Sequence, residues 1–254
     1  MPDRPYPGGV YEERPARLAG AVVWTRATGP ADASGPVLPD GCMDLIWADG
    51  RLLVAGPDTR AYLPESPAAH YAGVRFAPGE APGVLGVEAS GLRDLRVDLA
   101  ELWGAREARR LADGVTGAAD RAAALEELVL RRAAGSPAPD PLLRAVVARL
   151  RSGEAVGAAA DAVGLGARQL HRRSLAAFGY GPKTLARILR LQRALALVRA
   201  GVPYAAAAYR AGCTDQAHLA REMRALTGTT LTDYTTSAAG SAPAAGSGAA
   251  SASA

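Results

Sequence analysis

Two copies of one short pattern lie near the C-terminus of this 254-residue chain. The first, "AAADAVGLGARQLHRRSLAAFGYGPK", runs from Ala158 to Lys183; the second, "YAAAAYRAGCTDQAHLAREMRALTG", runs from Tyr204 to Gly228. Each predicts a short Ala-rich helix, a turn at Gly164 or Gly212, and a second helix with a basic face. Equivalent residues lie 49 positions apart: Leu170 and Leu219, Arg172 and Arg221, Ser174 and Met223. A helix, a tight glycine turn and a second helix form the unit that presents a helix to the DNA major groove. One such unit is a weak signal. Two in register, joined by the amphipathic stretch "GPKTLARILRLQRALALVRAG", constrain the fold strongly.

The charge follows the same division. Residues 140–237 carry 14 Lys and Arg against 6 Asp and Glu, a net +8, while residues 1–139 carry 15 against 19, a net −4. A basic half attracts phosphates and an acidic half does not. The length allows one large or two modest domains, and the 49% apolar content supplies cores for them. No apolar run is long enough to span a membrane, and "MPDRPYPGGVYEERP" lacks the apolar segment of a secretory signal. Cys42 and Cys213 are far apart in sequence and form no metal-type pair. A cytoplasmic protein with reduced thiols, no metal and no cofactor is expected.

The first half reads differently. After a flexible start (residues 1 to about 15), "AGAVVWT", "MDLIW", "RLLVAG" and "YAGVRF" are candidate strands bounded by Pro, Gly or Asp. "MDLIWADGRLLVAG" reads as a hairpin turning at Ala48-Asp49-Gly50. Helical periodicity begins at "DLAELWG" and strengthens in "RAAALEELVLRRAA", where Leu125, Leu128 and Val129 share a side with Arg132, and Glu126 and Arg131 lie nearer the other faces. "GSPAPDP" (Gly135 to Pro141) is a linker by composition. The predicted class is α+β: a small β-barrel or sandwich domain with trailing helices over 1–138, an all-α domain of seven helices with two helix-turn-helix units over 139–237, and a low-complexity disordered tail over 238–254.

A helical wheel sorts the candidate DNA contacts. On the first recognition helix Leu170, Ser174 and Phe178 face inward, with Arg168 and Arg172 opposite. On the second, Leu219, Met223 and Leu226 face inward, with Ala217, Arg221 and Arg224 opposite. Arg pairs bidentately with guanine O6 and N7, so Arg172 and Arg221 are the leading base readers. Arg168, Gln169, Gln216, Ala217 and His218 lie at or near the helix starts, where base edges are reached. Lys183, Thr184, Arg187 and Arg190 on the connector, together with Arg224, are assigned to phosphates. The connector's core side is read as Leu185, Ile188, Leu189 and Ala196. Each Arg has the alternative of a merely solvated face.

The strings "VGLGARQLHRR", "FGYGPKTLARILRLQRALAL" and "AGCTDQAHLAREMRALTG", in that order, resemble the AraC/XylS family of bacterial transcription regulators. The resemblance covers Pro141 to Tyr234. It implies seven helices starting near Pro141, Val156, Ala167, Pro182, Tyr204, Asp215 and Leu231, with both recognition helices entering successive major grooves of double-stranded DNA. It also implies RNA polymerase as a partner. Three positions depart from the family pattern. Ser174 replaces an apolar residue, a gap that Leu175 fills if the helix rotates; Gly181 replaces a capping Ser; Ala217 offers only a methyl. The string "LPDGCMDLIWADG...VAGPDT...GVRFAPGEAPGVLGV" resembles the N-terminal domain of a subset of actinobacterial regulators of this type. In the family such a region is often a small-molecule effector domain followed by helices that make a homodimer, which would place a dimer seam on the Leu125–Val129 stripe. The open alternative is packing of that stripe on its own domain.

For the effector, Cys42, Trp47 and Arg75 are the candidate pocket residues. Alternation puts Cys42, Asp44 and Ile46 on one strand face and Met43, Leu45 and Trp47 on the other. Ordinary core is the competing role for Trp47. A metal-dependent barrel enzyme is disfavoured because His70 stands alone. A thiolate-zinc repair protein would need clustered cysteines. No "GxSxG" elbow or phosphate-binding glycine loop occurs. A sequence-specific regulator therefore leads, with a non-sensing architectural DNA binder carrying an N-terminal protein-interaction module as the alternative.

Overall fold

The computed structural model describes residues 10–28, 35–64 and 70–239. In the first half, six strands form one antiparallel sheet: β1 (Val10–Pro15), β2 (Val22–Ala27), β3 (Met43–Ala48), β4 (Arg51–Ala55), β5 (His70–Phe76) and β6 (Arg96–Asp98), in the order β1-β2-β5-β3-β4-β6. The four expected strands are all present. The expected flexible start is corrected from Val10 onward, where the chain pairs with β2 as an edge strand; residues 1–9 lie outside the described residues. The strand β6 also went unread, being only three residues long. The β3–β4 hairpin turns on Asp49-Gly50, both at positive φ (43° and 88°), the backbone a two-residue hairpin requires.

Strand alternation gives the sheet two chemically distinct faces. Val23, Leu45, Trp47, Leu52, Val54, Val74 and Phe76 point to one side and are buried. Onto them pack the helices α1 (Ala81–Leu85), α2 (Leu99–Trp103), α3 (Ala105–Thr116) and α4 (Arg121–Ala134), with α3 lying over β4 and α4 over β5 and β2. A 3-10 turn spans Ala89–Leu92.

This packing corrects the dimer seam. Leu125, Leu128 and Val129 of α4 are at most 3% exposed within one chain, so the stripe is domain core and cannot be a surface for a second copy. Glu126 is buried too, rather than turned outward. Its carboxylate accepts from Arg14 (2.8 Å) and from the backbone N–H of Arg17 (2.6 Å), tying α4 to the end of β1 and the turn after it.

The second half has seven helices: α5 (Pro141–Ser152), α6 (Val156–Asp161), α7 (Ala167–Phe178), α8 (Pro182–Arg199), α9 (Tyr204–Ala211), α10 (Gln216–Thr227) and α11 (Leu231–Ala239). Their starts fall within one residue of those the resemblance implies. Pro141 and Pro182 open α5 and α8, where a missing N–H costs nothing. One apolar cluster, from Leu143 to Leu231, binds them, and a separate cluster serves the sheet and its helices. α8 is the axis. Its buried residues (Leu185, Ile188, Leu189, Leu191, Ala194, Leu195 and Val198) extend around more than one side because helices of both units pack on it. Ala196, assigned to its core side, is only half-buried. Residues 238 and 239 end α11, and the rest of the expected disordered tail, 240–254, lies outside the described residues.

Candidate nucleic-acid interface and sheet-face pocket

Each helix-turn-helix unit is set by its turn. Gly164 and Gly212 sit at φ 67° and 85°, in the left-handed region that costs any other residue a clash with its own Cβ. α6 leads through the first turn to α7, and α9 through the second to α10. The second recognition helix is capped by Asp215, whose carboxylate accepts the His218 N–H at 2.6 Å. The first has Gly166 at the cap, and Gln169 reaches back to accept its N–H at 3.2 Å.

The inward residues are as the wheel places them: Leu170, Ser174 and Phe178 on α7, and Leu219, Met223 and Leu226 on α10, are buried. Ser174 is fully enclosed while Leu175 is half-buried, so the helix does not rotate to bring Leu175 in. The Ser174 hydroxyl finds no hydrogen-bond partner among the described residues. Where the family's capping Ser would stand, a Cβ at Gly181 would lie 3.0 Å from the His171 ring.

Arg168, Gln169, Arg172, Gln216, Ala217 and Arg221 are exposed. His218 is half-buried; its Nδ1 accepts the Thr214 N–H at 3.3 Å, leaving Nε2 for any further partner. Among the residues assigned to phosphates, Lys183 and Arg224 are exposed and Thr184 is half-buried. Arg187 and Arg190 are half-buried. Arg187 makes a two-pronged pair with Glu222 of α10 (2.9 and 3.1 Å), and Arg190 approaches the same carboxylate at 3.9 Å. Both guanidinium groups serve the α8–α10 contact. The wheel did not reveal Glu222, because its partners lie on a different helix.

The other face of the sheet borders a cavity of about 200 Å³. Ile46, Ala48, Leu53 and Ala55 form its apolar part, and Tyr11, Trp24, Tyr62 and Tyr71 its aromatic part. A short strap, bridged between Val37 and Tyr62, contributes to its border. Of the candidate effector residues, Cys42 and Arg75 line the cavity and Trp47 does not. Trp47 lies on the helix-covered face, 4% exposed, its Nε1 donating to Thr116 Oγ1. Arg75 is 6% exposed and lies 3.3 Å from Asp44, opposite it in the β3–β5 register, and 3.7 Å from both Asp40 and Glu13. Arg96 pairs with Asp58 through two hydrogen bonds, at 2.9 and 2.7 Å. Trp24 was missed as a lining residue, although alternation along "VVWTRA" already separates Trp24 and Arg26 from Val23.

Two stretches of cavity wall also touch the helical half. Asp40 and Cys42 line the cavity, while the Pro39 carbonyl accepts from Gln192 of α8 (2.5 Å) and a Cβ at Gly41 would lie 3.0 Å from Leu185. Gly56 and Asp58 line it as well, while Pro57 packs at Gly179, just after α7. Tyr180 is 3% exposed in this junction.

A tandem helix-turn-helix domain with outward arginines on both second helices, carried on a β-sheet domain, defines a DNA-binding transcription regulator. Residues 159–237 match a helix-turn-helix domain family and residues 21–98 match a domain of unknown function, DUF6597. No curated protein matches it in sequence. Among solved structures, it is similar to ToxT from Vibrio cholerae, at 7% identity and a TM-score of 0.48 over 89% of this chain and 98% of that one. An apo variant of ToxT from strain SCE256 is similar at 10% identity and a TM-score of 0.44, over 87% and 98%. These likenesses transfer no residue role to this chain. No described helix is long and apolar enough to cross a membrane.

Proposed function

We propose that this regulator reads a specific DNA site with α7 and α10 and is controlled by a small molecule held in the sheet-face cavity. Arg172 and Arg221 read bases, with Arg168, Gln169, Gln216, Ala217 and His218 beside them; Lys183, Thr184 and Arg224 hold phosphates. Its work is reversible binding. The observation that carries the control is the shared wall: the stretches 39–42 and 56–58 face the cavity with alternate residues and α7 or α8 with those between. A ligand that binds one arrangement of this wall better than another shifts the placement of the first unit by that difference in affinity.

The test is selection of bound DNA from a random pool with the full-length protein, followed by binding measurements on the enriched sequence. Enrichment of a defined motif over scrambled DNA at fixed salt is expected, with its affinity altered severalfold by the cavity-filling change Ala55→Phe. Binding without sequence preference and with steep salt dependence would instead establish the architectural reading. A motif whose affinity ignores Ala55→Phe would remove the cavity from control.

A further inference from the structure

We propose that the effector is an uncharged aromatic molecule of one or two rings; this rests on the cavity being an effector site. The argument begins with size and lining. About 200 Å³ is below the roughly 300–1,000 Å³ of pockets for drug-sized ligands, so the occupant is small. Three tyrosines and a tryptophan surround it, in a chain with only 5% aromatic residues. Phe76, Trp47 and Trp103 pack against the other face or its helices, so alternation has sorted the tyrosines to the cavity side.

The Trp24 ring is a fixed platform. Its Nε1 donates to Asp44 Oδ1 at 2.7 Å, and the ring lies across Gly73, where any Cβ would overlap it. Tyr11 stacks beside it, centroids 6.2 Å apart and planes inclined by 28°. A rigid ring pair beside the small side chains Ala48 and Ala55 suits a flat apolar guest, which gains both area burial and ring contact.

Charge decides against the alternatives. Arg75 is surrounded by Asp44, Asp40 and Glu13 and lies 5.9 Å from the Trp24 centroid; Arg96 is held by Asp58 and lies 4.1 Å over the Tyr62 ring. Arg26 is engaged as well. A carboxylate guest would have to draw an arginine from its acids, and a cationic guest would meet Arg26, Arg75 and Arg96 on the same wall. Either ion loses its hydration on entering, and breaking an existing buried pair adds to that loss. A neutral ring requires neither.

Isothermal titration of the full-length protein with indole, indole-3-carboxylate, tryptamine and cyclohexanol tests this directly. Indole is expected to bind at least tenfold more tightly than each of the other three. Crystals grown with 5-bromoindole are expected to place bromine within the cavity, and Ala55→Phe or Ile46→Phe to abolish binding. Tighter binding of either ion or of the alicyclic alcohol, no binding of indole, or bromine found elsewhere would overturn the assignment. Those results leave the control by the cavity standing, because that is read from the response of DNA affinity to Ala55→Phe without any ligand.

Discussion

Arg75 and Arg221 are the same residue type used in opposite ways. Arg221 stands exposed on α10, and Arg75 lies buried on β5 among three acidic side chains. The contrast extends to the two halves of the molecule. The helical half turns its basic excess outward, where a polyanion can use it. The sheet half instead buries Arg26, Arg75 and Glu126, with acids beside Arg75 and arginines beside Glu126. Net charge therefore distinguishes the two halves, while Arg75 and its acidic neighbours lie at the wall of a cavity in the first.

The comparison breaks first at α4. Leu125→Asp or Val129→Asp places an unpaired carboxylate in the core of the sheet half, at a cost of several kcal/mol. Loss of the folded first half by circular dichroism is expected, with little soluble protein. A folded, dissociated chain would reinstate the stripe as a seam between copies.

Arginine removal sharpens the contrast. Arg75→Ala leaves Asp40, Asp44 and Glu13 facing one another and should cost about 3–5 kcal/mol in denaturant melts. Arg172→Ala and Arg221→Ala should leave stability within about 0.5 kcal/mol. Each should instead weaken specific DNA binding by about 1–3 kcal/mol and relax one position of the site. Wild-type discrimination by both variants would remove them as base readers.

Glu222 tests a charge withheld within the basic half. Glu222→Gln should release Arg187 and Arg190, tighten non-specific binding, and steepen the salt dependence by about one to two phosphate contacts. Lys183→Ala should flatten it by about one. Equal salt slopes in the wild type and the Glu222→Gln variant would show that the pair never competes with phosphate.

The smallest expected effect is on the acid limb of stability. The hydrogen bond from Arg14 is the main influence holding the Glu126 carboxyl below its usual range, against the opposing effect of burial. With its folded pKa depressed, Glu126 stabilises the protein above its unfolded pKa, and this contribution is lost as the pH falls through the folded value. Glu126→Gln should lower stability near neutrality and flatten this part of the acid dependence. An acid limb identical to wild type would assign it to other carboxylates.

Much of the helical half was legible because its signals are local. The 3.6-residue period, the glycines at the turns and the prolines at the starts act within one or two turns of chain; the seven helix starts implied by the family resemblance fall within one residue of those observed. Strand alternation likewise separated Cys42 and Asp44 from Trp47. It could not say which face would be covered by helices and which would border a cavity, because both carry large apolar or aromatic residues. That was decided by α3 and α4 packing over Val54, Val74 and Phe76.

The sequence by itself determined the tandem units, their inward and outward faces and the placement of the basic charge, since each follows from residues near in the chain. Tertiary structure alone decided which charges are available. It enclosed the α4 stripe, joined Arg187 to Glu222 across 35 positions, and gathered Glu13, Asp40 and Asp44 around Arg75. An ion pair between distant residues leaves no period to read. Its partners are chosen by which elements pack together, and that choice rests on the burial of whole apolar faces.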